Sequence, residues 1–283
     1  MEVWKIGDVT VTRVLDVQID MPPTRLVPDA TPENIAHMKH WLAPHFLNDD
    51  DTMPLSIHTF LVESEGARIV VDTCIGNDKP RDLPAWNMRQ DNFLDRIADH
   101  GFHRESVDLV MCTHLHVDHV GWNTILDKGR WVPTFPNARY LIGEQEWGFW
   151  KDETDPFGQQ AREDSIVPII ESGLTDLVPP DHRLTGEVVM IPTPGHTPGH
   201  VSVLIESRGE RAVITGDLFH HPLQFAEPDW KDIADVDPVL ASATRKQFMG
   251  DFSEGTLVLG SHFASPTGGK IVRDGGVYRF DVN

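Results

Sequence analysis

The chain has 283 residues, 40% of them hydrophobic, and a formal net charge of −20. That length fits one large α/β domain spanning 1–283 around a single layered core, and no apolar run approaches the roughly 18 residues of a membrane span. The acidic surface repels phosphate backbones and anionic lipid, which excludes nucleic acid and membrane as expected partners.

The first residues, Met1 to Thr12, alternate apolar and polar side chains and lack the basic and apolar regions of a secretory leader, so a cytoplasmic protein is expected. Residues 3–17 read as two strands around a Gly7-Asp8 turn. An N-terminal excursion at about 20–55 follows, with several prolines, the acidic run Asp49-Asp50-Asp51 and a helix near Pro32 to Trp41. It is read as a lid, a homodimer contact or a surface loop. Residues 57–63 and 68–72 form a strand pair joined at Glu65-Gly66. A helix over Asn92 to His100 stops near Gly101. Leu109 to Cys112 is a buried strand. Residues 139–150 pass from strand to a tryptophan-rich helix, and Ala161 to Ser172 is helical, limited by Pro168. Strands are expected at Val188–Ile191, Val201–Ile205, Ala212–Thr215 and Thr256–Leu259. Pro238 to Met249 is a helix with Asp237 as N-cap. A hairpin turning at Asp274-Gly275-Gly276 ends the chain. The two cysteines cannot make a disulfide framework. Cys112 reads as a small buried residue, and Cys74 falls at a strand-to-loop junction where a pocket-edge thiol is conceivable.

The chemistry concentrates in Thr113-His114-Leu115-His116-Val117-Asp118-His119, three histidines and an aspartate directly after a buried strand. Imidazole and carboxylate are ligands for zinc, iron or manganese, and a strand end followed by a turn can aim them at two neighbouring centres. Three further strand ends carry ligand-type residues: His196 in Thr193-Pro194-Gly195-His196-Thr197-Pro198-Gly199-His200, Asp217 after Ile214-Thr215-Gly216, and His262 after Leu259-Gly260-Ser261. Singly the last two are weak signals. Together with the first they form a specific set.

This order, H-x-H-x-D-H followed by a lone histidine, an aspartate and a final histidine, resembles the metallo-β-lactamase superfamily over about residues 57–262. The resemblance implies an α/β fold, a four-layer αββα sandwich with the site at one edge between the sheets. It implies that His114, His116 and His196 hold one metal, that Asp118, His119 and His262 hold a second, and that Asp217 bridges them. Asp72 matches an aspartate that supports the ligands from behind, and His200 is expected to be a supporting or structural histidine and not a ligand. The implied cofactors are two divalent ions, zinc foremost, with manganese, cobalt or iron also compatible. Ions about 3.5–4 Å apart can share a hydroxide and bring its pKa near neutrality. Asp118 is expected to move a proton to the leaving group.

The run from Cys112 to Asn123 looks like the branch of N-acyl homoserine lactonases, other lactonases, arylesterases and organophosphate hydrolases. Those lactonases carry a tyrosine three residues after the bridging aspartate; here the position is His220, which can still donate a hydrogen bond to a developing oxyanion. His221 is expected to be structural or at the rim. Trp122, Trp147, Phe149, Trp150 and Phe219 fall near the metal loops, as core or as cleft lining, and two of them facing the cleft would favour an aromatic or acyl-chain substrate. The expected function is hydrolysis of a small apolar lactone or ester, N-acyl homoserine lactonase-like, with arylesterase or organophosphate triesterase activity as the alternative. A diiron or sulfur-dioxygenase redox member and a non-catalytic metal protein rank below. Diiron relatives carry glutamate where this chain has His116.

Overall fold

In the computed structural model, which describes residues 2–154 and 156–282, fifteen strands alternate with short helices. The strands are β1 (Glu2–Ile6), β2 (Val9–Met21), β3 (Met53–Ser64), β4 (Ala67–Val71), β5 (Leu109–Met111), β6 (Thr124–Asp127), β7 (Arg130–Pro133), β8 (Arg139–Gly143), β9 (Thr175–Val178), β10 (Val188–Pro192), β11 (Val201–Ser207), β12 (Glu210–Ile214), β13 (Leu257–Leu259), β14 (Gly268–Asp274) and β15 (Val277–Asp281). One sheet runs β1-β2-β3-β4-β5-β8-β9 and the other β10-β11-β12-β13-β14-β15, while β6 and β7 form a separate hairpin. The pairs β4–β5, β5–β8, β8–β9 and β12–β13 are parallel.

The period-2 alternation of the strands builds the layers. In β4, Ile69 and Val71 enter the core between the sheets, while Val70 joins an outer core with Phe93, Ile97 and Trp122. In β12 and β13, Ile214 and Leu259 face the same central core. Val213 and Val258 instead face a second outer core with Phe219, Phe225 and Phe248. Helices therefore cover both outer faces, and the architecture is the expected αββα sandwich.

Several elements differ from the sequence expectation. β2 continues to Met21, so the excursion begins later. Its helix is broken into Pro32–Ile35, a 3-10 turn Ala36–Met38 and Lys39–Leu42. The excursion is no bare surface loop: Val27, Ile35, Met38, Leu42 and Phe46 are buried in the second outer core. β6, β7 and β9 had no counterpart in the sequence reading. The helix placed at Ala161–Ser172 starts at Pro156, and a π turn over Arg162–Ile166 separates Pro156–Ala161 from Val167–Glu171. Pro168 lacks an N–H and its ring crowds the carbonyl four residues back, that of Asp164. That carbonyl accepts instead from Thr124 Oγ1 at 2.5 Å and Lys79 Nζ at 3.2 Å. The helix Pro238–Phe252 is as expected, with the Asp237 side chain accepting from Leu240 N. The terminal hairpin also turns where expected.

Candidate metal centre

Four strand ends open onto one edge of the sandwich. β5 leads into His114–His119, β10 into His196, β12 into Asp217 and β13 into His262. A strand held on both sides in a sheet gives the following loop a fixed origin, which is what a multidentate site needs. The seven residues singled out from the sequence meet there in two groups, each with its ligand atoms within 4.8 Å of one another: His114, His116, His196 and Asp217 in one, Asp118, His119 and His262 in the other. His114 Nε2 and His196 Nε2 each lie 3.0 Å from His116 Nδ1. His119 Nε2 lies 3.2 Å from His262 Nε2. Asp217 reaches both groups, and its Oδ2 also lies 3.2 Å from His262 Nε2. Its Oδ1 is 3.2 Å from His119 Nε2 and 3.1 Å from His262 Nε2. Its Oδ2 is 3.5 Å from both His114 Nε2 and His196 Nε2.

These atoms fit a pair of cations. The outward nitrogens of four imidazoles face oxygens: His119 Nδ1 faces Asp72 Oδ2 at 2.9 Å, His262 Nδ1 the Ser56 carbonyl at 3.0 Å, His196 Nδ1 Asp235 Oδ1 at 3.2 Å and His114 Nδ1 Thr113 Oγ1 at 3.1 Å. With protons on those outward nitrogens, bare lone pairs point inward at one another, an arrangement that only a positive charge relieves. Ligands about 2.0–2.1 Å from a tetrahedral zinc lie about 3.3 Å apart, close to the separations seen. Asp217 Oδ1 is buried without a hydrogen-bond donor among the described residues. Burial first of all holds His114 and His196 well below the usual histidine range, and it takes His116 down to about 4. Neutral imidazole is the metal-binding form.

The supporting residues are equally specific. Asp72 accepts from Thr113 N and Thr113 Oγ1 as well as facing His119, so it ties the end of β4 to the ligand loop. His200 faces the Thr193 carbonyl through Nδ1 and accepts the Asp217 N–H through Nε2 at 2.8 Å. It thereby holds the backbone of Asp217 against the end of β10. His221 is buried and bonds through Nε2 to the Phe46 carbonyl at 2.7 Å, fastening the N-terminal excursion. Cys74 and Cys112 are both buried, and Cys74 does not reach the cleft.

Sequence reasoning missed Glu146, Asp232 and Asp235. Glu146 is 1% exposed and accepts four hydrogen bonds, from Leu115 N, Trp150 Nε1, Thr197 Oγ1 and Gly199 N. It thereby joins the His114–His119 loop to the His196 loop. The E-x-x-x-W spacing on one helix face is the only mark it leaves in the sequence.

A cleft of about 700 Å³ opens over the centre, where His116, Asp118, Asp217, His220 and His262 form its floor. Its walls include Ile19, Met21, Leu26, Leu55, Leu83, Trp86, Trp150 and Ile233. Of the five aromatics singled out from the sequence, only Trp150 lines it. Trp122 stacks on Phe93 and Phe219 on Phe225, while Trp147 and Phe149 pack on the outer core. His220 stands on the floor, with Nε2 3.0 Å from Asp217 Oδ2 and Nδ1 3.4 Å from Asp232 Oδ2. Burial opposes its charged form, but the carboxylates of Asp232 and Asp217 outweigh burial and raise it to about 9.

Comparison with known proteins agrees with this geometry. The chain is 28% identical to the protein YobT of Bacillus subtilis (strain 168) over 58% of its own length and 62% of YobT, less than two thirds of that relative. It is 23% identical to an N-acyl homoserine lactonase of a Bacillus species over 64% of its length and 73% of the lactonase. Its fold superposes on that of AidC, a dizinc quorum-quenching lactonase, with a TM-score of 0.81 at 22% identity, covering 99% of this chain and 96% of AidC. The family model of the metallo-beta-lactamase superfamily matches residues 52–262, which include every ligand-type residue described above, and the chain belongs to that superfamily.

Proposed function

We propose that this protein is a binuclear metal-dependent hydrolase that opens lactones or cleaves esters carrying an apolar group. The observation that carries the reading is Asp217, whose carboxylate lies between the two ligand groups and within 3.5 Å of imidazoles from both. His114, His116 and His196 would hold one cation and Asp118, His119 and His262 the other, with Asp217 within reach of both. A bound divalent pair supplies Lewis acidity and a water-derived nucleophile at neutral pH. The chain's own residues do the rest. His220 stands on the cleft floor with Nε2 3.0 Å from Asp217 Oδ2, where it can share its N–H with the oxygen that gains negative charge. Asp118 also lines the cleft, with Oδ2 3.7 Å from His262 Nε2, placed to carry a proton to the leaving oxygen. The apolar walls exclude water and hold an acyl chain or a ring.

The similarity to N-acyl homoserine lactonases supports a lactone substrate. Trp86 and Trp150 in the cleft wall, together with His220 in place of tyrosine, favour aryl esters or phosphotriesters as the second reading. Steady-state assays on acyl lactones, aryl esters and phosphotriesters, with and without chelator, test both. The account expects chelator-sensitive turnover with the highest kcat/KM on a lactone or ester. Hydrolysis that persists after metal removal would refute it.

A further inference from the structure

The segment Asp232-Ile233-Ala234-Asp235 lies between the helices Leu223–Ala226 and Pro238–Phe252. Its side chains divide sharply. Ile233 and Ala234 line the cleft, and Ile233 is 62% exposed. The side chains of Asp232 and Asp235 are both 0% exposed. Asp235 Oδ1 faces His196 Nδ1 at 3.2 Å, and Asp235 Oδ2 accepts from Asp232 N and pairs with Arg245 at 3.3 Å. Asp232 Oδ1 accepts from Ala234 N at 2.8 Å. Its Oδ2 points at His220 Nδ1, and neither of these two buried atoms has a hydrogen-bond partner among the described residues. The loop is anchored at both ends: Ile233 N donates to the Leu26 carbonyl, and Val236 N donates to the carbonyl of His196 itself.

We propose that Asp232–Asp235 is a specificity-determining loop in which Ile233 and Ala234 meet the substrate while Asp232 and Asp235 position the imidazoles of His220 and His196. The proposal rests on the hydrolase reading and adds to it a physical link between the cleft wall and the reacting centre. Displacing Ile233 moves the peptide unit shared with Asp232, and with it the carboxylate behind His220. The two carboxylates have separable effects because, in that reading, Asp235 backs a metal ligand and Asp232 backs a histidine outside the seven ligands. A carboxylate offers two acceptor atoms and an asparagine only one. With Oδ1 taken by Ala234 N–H, Asp232→Asn turns an NH₂ toward His220. Asp235→Asn likewise leaves either His196 or Arg245 facing an amide donor.

The test uses the full chain loaded with zinc. Metal retention against a graded chelator, kcat and KM on the best wild-type substrate, and melting by circular dichroism are measured for wild type, Asp235→Asn, Asp232→Asn and Ile233→Ala. Asp235→Asn is expected to weaken one of the two metals by roughly 10–100-fold and leave the other near its wild-type affinity. Asp232→Asn is expected to keep both metals and lose roughly tenfold or more in kcat, as a misdirected group does. Ile233→Ala, a change at an exposed side chain that the fold does not need, is expected to raise KM and lower kcat together. Wild-type metal affinity in Asp235→Asn, wild-type kcat in Asp232→Asn, or a change confined to KM in Ile233→Ala would each overturn the proposal. A wild-type enzyme indifferent to chelator would instead overturn the hydrolase reading, so the two failures are distinguishable.

Discussion

Asp217 depends on the residue before it. Gly216 has φ +55, and a Cβ there would lie 2.5 Å from His200 Nε2, the atom that accepts the Asp217 N–H. A side chain at this position is strained by the backbone and displaces the imidazole that orients the shared carboxylate. Gly216→Ala is therefore expected to cost about 1–3 kcal/mol of stability and to lower the affinity for both metals, read by denaturant unfolding and chelator competition. Unchanged metal affinity in a folded Gly216→Ala protein would argue against His200 as a positioning residue. The seven ligand-type residues were legible in the sequence because three histidines and an aspartate crowd into six positions and the others follow strand ends. Asp232, Asp235 and Glu146 were not legible. In a chain with 44 acidic residues, an isolated aspartate or glutamate has no distinguishing mark until folding buries it.

The helical segment interrupted by the π turn shows how one element is held by a buried charge cluster. Arg81 meets both oxygens of Asp164, at 2.6 and 3.0 Å. Lys79 lies 3.5 Å from the same carboxylate and 3.8 Å from the centre of the Trp131 ring. Burial dominates over Asp164 and lowers Lys79 from its ordinary 10.5 to about 7. Between those values the unfolded chain binds a proton that the folded chain lacks, so stability rises with pH across this window. The contribution is complete above about 10.5 and lost as pH falls through about 7. Lys79→Met is expected to flatten that rise, measured as unfolding free energy at pH 7 and pH 9.5. An identical slope in the variant would show that Lys79 is protonated throughout. The sequence located this helix but not its interruption, since Pro168 reads as a stop and not as a carbonyl released to Thr124 and Lys79. The hairpin β6–β7 and edge strand β9 escaped notice because four-residue strands carry too few alternations to register.

Across the whole molecule, the layered architecture was legible from the order of strands and helices, whereas the cleft was not. Its wall combines Met21 from the end of β2, Leu26 from the N-terminal excursion, Leu83 and Trp86 from the loop after β4, and Ile233 from the loop before the helix Pro238–Phe252. Only folding brings these together, and the tryptophans nearest the motif in sequence mostly turn into the outer core. No helix among the described residues is long and apolar enough to cross a membrane. Because cations would relieve the crowding of the inward nitrogens around Asp217, metal binding is expected to stabilise the whole fold. Ligands present at a thousand times their dissociation constant contribute about 4 kcal/mol. Removing metal is thus expected to lower the melting temperature by roughly ten degrees in a scan with and without chelator. A melting temperature indifferent to metal would count against that coupling.

The central claim is that one carboxylate joins two cation sites. Metal content per chain at saturation, measured by plasma mass spectrometry after desalting for wild type, His262→Ala and Asp217→Asn, tests it most directly. The account predicts two ions in wild type, one in His262→Ala and fewer than one in Asp217→Asn. A wild-type protein that saturates at a single ion, or an Asp217→Asn protein that still retains two, would contradict it.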